Sequence, residues 1–406
     1  MIRSLRNIDW SLFILMLLIL IYGVVIVYTA STTKVGDEIY TSNYFIKQIA
    51  WILISLTIFI LVIKLPYSII DSLIYPIYIL SILMLIAVLF TPGVKGSHRW
   101  LSFGLFNFQP SELAKLATVL VLAKILSKRH INDWHILSRT FIITIIPFSL
   151  ILIQPDLGTA VAVVASAFVI LLASDLPKFY LVLLLTPLLS VVTSVSLFLF
   201  ILMMLLIIFV LYKMRISYII MGFTVVINTF IFAVSPLIWN SLKTYQQNRI
   251  LSFIDPLRDP LGAGYQIIQS RIAIGSGGTF GKGFLMGTQK NLEFLPEHHT
   301  DFIFSVVGEE FGFIGSSLLI VLFFLLLYRI MRVMNKLKQP QTYLIVVGIA
   351  SFLTFQIFVN IGMNMGIVPT TGIPLPFISY GGSNLLINIV AIALIQKFMK
   401  ERSVFE

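Results

Sequence analysis

The sequence predicts an all-α fold, a polytopic transmembrane helix bundle of about 10–12 spans, and three observations carry that expectation. Of 406 residues, 58% are hydrophobic and only 11% are charged, with a mean hydropathy of +1.01, so lipid is the solvent this chain is built for. Apolar runs recur throughout 11–398, each near the roughly 20 residues a helix needs to cross a bilayer core of about 30 Å. Runs such as 197–211 lack the two-residue alternation of barrel strands, which excludes an outer-membrane barrel. The absence of cysteine excludes disulfides, thiolate metal sites and c-type haem attachment.

In chain order the candidate spans are 10–30, 44–64, 69–90, 111–127, 139–154, 157–173, 177–192, 195–212, 216–238, 304–328, 341–363 and 379–398. No small-residue cleavage signal follows the first, so a retained helix is expected over a cleaved signal peptide. The stretch 177–212 is too long for one span and short for two, and Thr186-Pro187 interrupts it. A hairpin turning within 190–196 keeps Lys213 and Arg215 on the side of the other basic loops. On this threading Lys124, Lys128, Arg129, Arg329, Arg332, Lys336 and Lys338 face the cytoplasm, as do both termini. The short outer loops have only Lys34, Lys47, Lys95 and Arg99. The net charge of +11 therefore follows membrane orientation, and no nucleic-acid partner is expected. One membrane domain, 1–406, results, with a large extracytoplasmic loop at 238–304 and an added helical hairpin at 177–213.

Polar residues that interrupt apolar sequence are the candidates for chemistry, because ionisable groups at membrane depth are costly. Gln109-Pro110-Ser111-Glu112 opens the fourth span, with proline suited to a first helical turn, and Arg99-Trp100 precedes it. Glu112 and Lys115 stand three apart on one face. Either they pair and line a polar cavity, or the acid serves the helix N-terminus and the lysine snorkels to the interface. Gln154-Pro155-Asp156 begins the sixth span from the same side, where Asp156 reads equally well as a helix cap.

In the large loop, Asp255-Pro256 reads by itself as a turn former. Tyr265, Ile268 and Ile272 recur at helical spacing, with Gln266, Gln269, Ser270 and Arg271 as polar contacts, which suggests an interfacial helix. The glycine-rich run 275–283 fails as a Walker A loop, since Ser276 and Gly283 stand where Gly and Ser or Thr are needed. Its amides and Lys282 either hold a pyrophosphate or belong to a flexible loop. Glu297, His298, His299 and Asp301, with Glu309-Glu310 beyond, match no strong metal-ligand spacing. A divalent cation, Mg or Mn, stays open beside hydrogen-bonding roles. Pro369, Pro374 and Pro376 make a rigid loop ahead of Ser379-Tyr380-Gly381-Gly382-Ser383, which suits either an anion or close helix packing.

Taken together, Arg99-Trp100, the 109–115 run, 154–158, Asp255-Pro256, the 262–283 region, 295–304 and 374–383 resemble, in family order, the SEDS family (shape, elongation, division and sporulation) of membrane-embedded peptidoglycan polymerases. Gly287-Thr288-Gln289, the 292–297 run and Asn360-Ile361-Gly362-Met363 look more like its elongation branch, RodA, than its division branch, FtsW. The family usually has ten spans, so the hairpin at 177–213 departs from its pattern. The resemblance implies a glycosyltransferase that polymerises lipid II on the outer face of the bacterial cytoplasmic membrane and expels undecaprenyl pyrophosphate. It implies Asp255 as general base, Lys115 and then Arg99 on the diphosphate or sugar, and Glu112 orienting Lys115 or the acceptor. Further substrate contacts would come from Trp100, Gln109, Asp156, Gln266, Ser270, Lys282, His299, Asp301 and Ser379. The implied partners are a class B penicillin-binding protein acting as transpeptidase and other elongation-complex membrane proteins. A flippase for the same precursor is the competing class, but no internal repeat is visible and the polar residues gather on one face.

Overall fold

A computed structural model describes the chain except 1–7, 36–37, 92–98, 105, 129–132, 178, 242–243, 245–246, 248–250, 254, 261, 263, 292–297 and 403–406. The expected spans are helices: α1 (Trp10–Ala30), α2 (Tyr44–Lys64), α3 (Tyr67–Val88), α4 (Pro110–Leu126), α5 (Asp133–Ile153), α6 (Leu157–Ala173), α7 (Phe179–Thr193), α8 (Leu197–Lys213) and α9 (Tyr218–Ser241). The large loop contains α10 (Tyr265–Ser276) and the short α11 (Thr288–Asn291), and α12 (Ile303–Met334), α13 (Pro340–Met365) and α14 (Gly382–Arg402) complete the chain. Among the described residues, eight helices are long and apolar enough to cross a membrane, and α6, α7 and α8 are shorter apolar helices. Two small antiparallel hairpins, β1 (Thr32–Val35) with β2 (Glu38–Thr41) and β3 (Leu101–Phe103) with β4 (Phe106–Phe108), were not visible as patterns in the sequence.

Local chemistry sets the helix ends. Asp9 caps α1 by accepting from the Leu12 amide at 3.1 Å, Pro110 and Pro340 occupy first turns, and α13 stops at Gly366, whose φ of 71° is a left-handed cap. The last helix starts at Gly382, three residues later than the span drawn at 379–398. Ser379 is held in a turn instead, its Oγ accepting from the Leu375 amide at 2.8 Å and donating to the Thr300 carbonyl at 2.6 Å.

The main core runs through α1, α2, α4, α12, α13 and α14, with Leu12, Met16, Phe323, Phe352 and Ile392 fully enclosed. Side chains such as Phe198, Leu205 and Phe223 lie on the outside, as a lipid-facing surface requires. Two polar clamps close the end of the bundle away from the long loops. Asp9 receives Arg329 at 2.9–3.1 Å while Gln396 bonds both the amide and the carbonyl of Asp9 at 2.8 Å, joining α1, α12 and α14. Lys124 and Gln341 reach Asp71 at 2.9 and 2.7 Å, joining α4, α13 and α3. From its sequence Lys124 reads only as a cytoplasm-facing cation at the end of the fourth span.

Helices α7–α9 stand apart as a satellite with its own apolar cluster of Phe200, Met203, Met204, Ile207, Leu211 and Met221. The turn between α7 and α8 falls at 194–196, within the stretch expected to reverse direction. A polar knot ties α7 to α9: Ser190 donates to Asn228 Oδ1 at 2.6 Å, and Asn228 Nδ2 donates to Thr186 at 3.1 Å. Between this satellite and α5 lies an apolar cavity of about 660 Å³ lined by Phe141, Tyr180, Pro187, Phe223 and Ile227 among others.

Candidate active site

The starts of α4, α6 and α14 and the 298–302 turn meet at the loop-rich end. Asp156 organises one side of it. Its carboxylate caps α6 through the Thr159 amide (3.3 Å) and hydroxyl (2.9 Å), and accepts from Gln109 Nε2 at 2.9 Å and Ser111 at 3.3 Å. The capping role and the attachment of α4 are thus combined in one buried acid. Gln109 also donates its amide to Ser383 at 2.9 Å, which ties α4 to α14. Arg99 donates to the carbonyls of Gln154 (2.9 Å) and Pro155, beyond the C-terminal turn of α5. Trp100 is half-buried ahead of β3.

One turn into α4, Lys115 Nζ lies 2.6 Å from Glu112 Oε2, and both side chains are sealed from solvent, at 0% and 3% exposure. The snorkelling alternative is therefore overturned. A fully enclosed ammonium can remain charged only beside its counter-charge, and here it also sits over the Phe352 ring at 4.9 Å. Among the described residues Glu112 is the sole hydrogen-bond partner of that ammonium, so two of its three N–H donors are unused.

On the other side, α10 lies on α12 and α13. Ile267, Ser270 and Ala273 point inward, while Ile272 is exposed. Ser270 is buried and donates to the Asn364 carbonyl at 2.8 Å, and Arg271 holds the Met365 and Gly366 carbonyls at the end of α13. Gln266 remains half-buried. Asn360 and Asn364, which sequence reasoning did not select as site residues, both donate to the Asp301 carbonyl, at 2.9 and 3.1 Å. Their signal was available as two amides one turn apart in an apolar span. The Asp301 carboxylate lies against Gly372, where a Cβ would meet Oδ2 at 3.2 Å.

The His299 ring stacks on Tyr44 at 4.3 Å, and Tyr380 closes on Tyr44 at 4.9 Å. Burial first, and then the neighbouring Tyr44 phenol, pushes the Tyr380 hydroxyl above its ordinary pKa. His298 faces the Ala30 carbonyl at 2.9 Å. Among the described residues no three His, Cys, Asp or Glu side chains converge as metal ligands, and Glu297 lies outside those residues. The amides of Lys282 and Gly283, left open above as pyrophosphate donors, are taken by the Glu309 and Glu310 carbonyls, and Lys282 Nζ pairs with Glu309 at 2.7 Å.

Asp255 differs from these groups in being exposed. One carboxylate oxygen accepts from the Leu257 amide at 3.1 Å in the turn that starts a short 3-10 segment, Pro256–Arg258, so the turn-forming role is present. Its other oxygen has no hydrogen-bond partner among the described residues. An exposed carboxylate with an unused oxygen is open to an incoming hydroxyl, whereas Glu112 and Asp156 are enclosed.

The family model FTSW_RODA_SPOVE, described as a cell cycle protein, matches residues 9–202 and 195–404. The peptidoglycan glycosyltransferase MrdB of Escherichia coli strain K12 is 34% identical over 400 residues, covering 98% of this chain and 94% of the relative. The peptidoglycan glycosyltransferase RodA of Treponema pallidum is 33% identical over 425 residues, covering 97% and 98%. Among solved structures, a chain from work on the structural coordination of polymerization and crosslinking by a peptidoglycan synthase complex superimposes with a TM-score of 0.74 at 29% identity, covering 97% and 98%. The rod shape determining protein RodA of Thermus thermophilus does so with a TM-score of 0.65 at 26% identity, covering 98% of each chain. With a family match along nearly its whole length and relatives above the level at which folds and families coincide, the chain belongs to the FtsW/RodA/SpoVE, or SEDS, family.

Proposed function

We propose that this chain polymerises lipid II into glycan strands during cell elongation, as a peptidoglycan glycosyltransferase with Asp255 as general base. The observation that carries this reading is the exposed, half-engaged carboxylate of Asp255, and the sealed Glu112–Lys115 pair supplies a candidate of opposite charge already held by an acid in α4. In the reaction, the 4-hydroxyl of the acceptor sugar attacks the anomeric carbon of the lipid-linked donor. The bond to the diphosphate breaks, its electron pair leaves with undecaprenyl pyrophosphate, and Asp255 takes the hydroxyl proton. Developing charge on the leaving group needs cations in a dry setting. Lys115 supplies one, held in place by Glu112, and Arg99 is the second choice because its guanidinium already serves backbone carbonyls. One carboxylate suffices, since pyrophosphate leaves readily, whereas glycosidases require a flanking pair.

Trp100 and Gln266, half-buried at the loop-rich end, are the candidates for sugar contact. Gln109, Asp156, Ser270, His299, Asp301 and Ser379 act from the walls, through the partners given above. The charge distribution of the loops supports an extracytoplasmic active site with both termini in the cytoplasm of a bacterial inner membrane. The α7–α8 hairpin is read as an addition to the usual ten spans. A class B penicillin-binding protein is the expected crosslinking partner.

The test is glycan polymerisation from purified lipid II in liposomes that contain this protein and its cognate transpeptidase, comparing wild type with Asp255→Asn. Polymer from wild type and none from a folded, partner-bound variant supports the base. Polymer from both removes Asp255 from the chemistry, and lipid II movement across the bilayer without polymer favours a flippase.

A further inference from the structure

α12 is two helices in sequence, because Gly312, at φ 63° and ψ −158°, breaks it. Such a break leaves carbonyls at the end of 303–311 and amides at the start of 313–334 without helical partners, a cost that is heavy away from water. The 277–283 loop fills the gap. Lys282 and Gly283 donate their amides to the Glu309 and Glu310 carbonyls at 2.9 and 3.1 Å. In return the Phe313 and Ile314 amides donate to the Gly278 and Thr279 carbonyls at 2.9 and 3.1 Å. The loop thus takes the part of the missing turn. Approach this close requires glycine, since a Cβ on Gly281 would strike the Glu310 carbonyl and one on Gly312 would strike the Gly281 amide.

A side-chain lock closes over this exchange. Glu309, 1% exposed, accepts at Oε1 from Lys282 Nζ (2.7 Å), the Thr288 amide (2.7 Å) and hydroxyl (2.9 Å), and the Gln289 amide (3.1 Å). Lys282 also donates to Thr288 Oγ1 at 2.7 Å. The loop continues directly from α10, which is fastened to α13 through Ser270 and Arg271. The N-terminal end of α10 carries the Asp255 turn, where the Gly264 amide donates to the Asp259 carbonyl at 3.0 Å and a Cβ on Gly264 would meet the Pro256 carbonyl.

We propose that Lys282 and Glu309 are positioning residues for glycosyl transfer, their ion pair locking the glycine loop into the α12 break and so holding α10 and the Asp255 turn over the bundle. Neither side chain touches reacting atoms, and the inference rests on Asp255 being the base. A displacement of about 1 Å at a distance from the chemistry can cost about 100-fold in rate.

The experiment uses the full chain in liposomes with lipid II and compares Lys282→Met, Glu309→Gln, Glu309→Asp and the swap Lys282→Glu with Glu309→Lys. It measures kcat, KM and hydrogen exchange at the amides of Lys282, Gly283, Phe313 and Ile314. Each neutralising variant is expected to lower kcat by about 10- to 100-fold with KM unchanged and to lose protection at those amides. Glu309→Asp falls between, and the swap recovers part of both readouts. Full kcat despite lost protection overturns the proposal, as does lost kcat with protection intact, which would make Glu309 a direct participant. Asp255→Asn in parallel separates the two readings: activity there removes the base whatever the lock does, while inactivity with unchanged exchange retains it even if the lock fails.

Discussion

The main bundle and the α7–α9 satellite are built from comparably apolar helices, yet they are joined by different means. The bundle is cross-tied by charged or multiply bonded groups at both ends: Asp9 with Arg329, Asp71 with Lys124, and Asp156 with Gln109 and Ser111. In the satellite, one neutral knot at Asn228 and a small methionine-rich cluster hold three helices beside an apolar cavity. In lipid, apolar contact gives little drive for helix association, so polar ties fix geometry where geometry matters. The contrast locates the demand for precision in the bundle, and it can be broken.

The largest expected effect is at the sealed pair. Lys115→Met leaves Glu112 enclosed without its counter-charge and should cost about 3–5 kcal/mol, read as a fall in the unfolding midpoint in detergent. The double variant Glu112→Gln with Lys115→Met should regain most of that stability without regaining polymerisation, which separates folding from chemistry. Full polymerisation by the double variant would remove Lys115 from the leaving-group site.

Asp156→Ala comes next. It removes a cap, worth about 1 kcal/mol, together with three side-chain bonds of up to about 1 kcal/mol each, so a loss of about 3 kcal/mol is expected. Unchanged stability would show that α4 is held by apolar packing alone.

The smallest effect belongs to the satellite. Asn228→Leu should cost about 1 kcal/mol and leave polymerisation at the wild-type level, measured in the same liposomes. A collapse of activity would mean that the satellite takes part in the reaction and would erase the distinction between the two regions.

Hydropathy made the spans legible because a lipid-crossing helix announces itself by length and composition, and α6 falls on 157–173 as drawn. What escaped depended on partners distant in sequence. Asp9 and Arg329 are 320 residues apart, and a basic residue near a helix end reads as a loop marker until its acid is located. The Gly312 break was equally hidden, since one glycine in an apolar run is ordinary and only the 277–283 loop gives it meaning. Lys282 looked like an anion ligand for the same reason: sequence shows the cation but not the Glu309 that occupies it. At the site, Glu112 and Lys115 were legible as a pair because helical spacing is local. The commitment of Ser270 and Ser379 to distant carbonyls was not.

The most direct measurement is single-turnover lipid II polymerisation by wild type and Asp255→Asn, with binding of lipid II followed in the same samples. A base on an exposed turn predicts that the variant binds substrate and keeps its unfolding midpoint while polymer formation falls by about 100-fold or more. Polymerisation at an undiminished rate by the Asn variant would contradict it, and the proton acceptor would have to be sought among the residues now assigned to the walls.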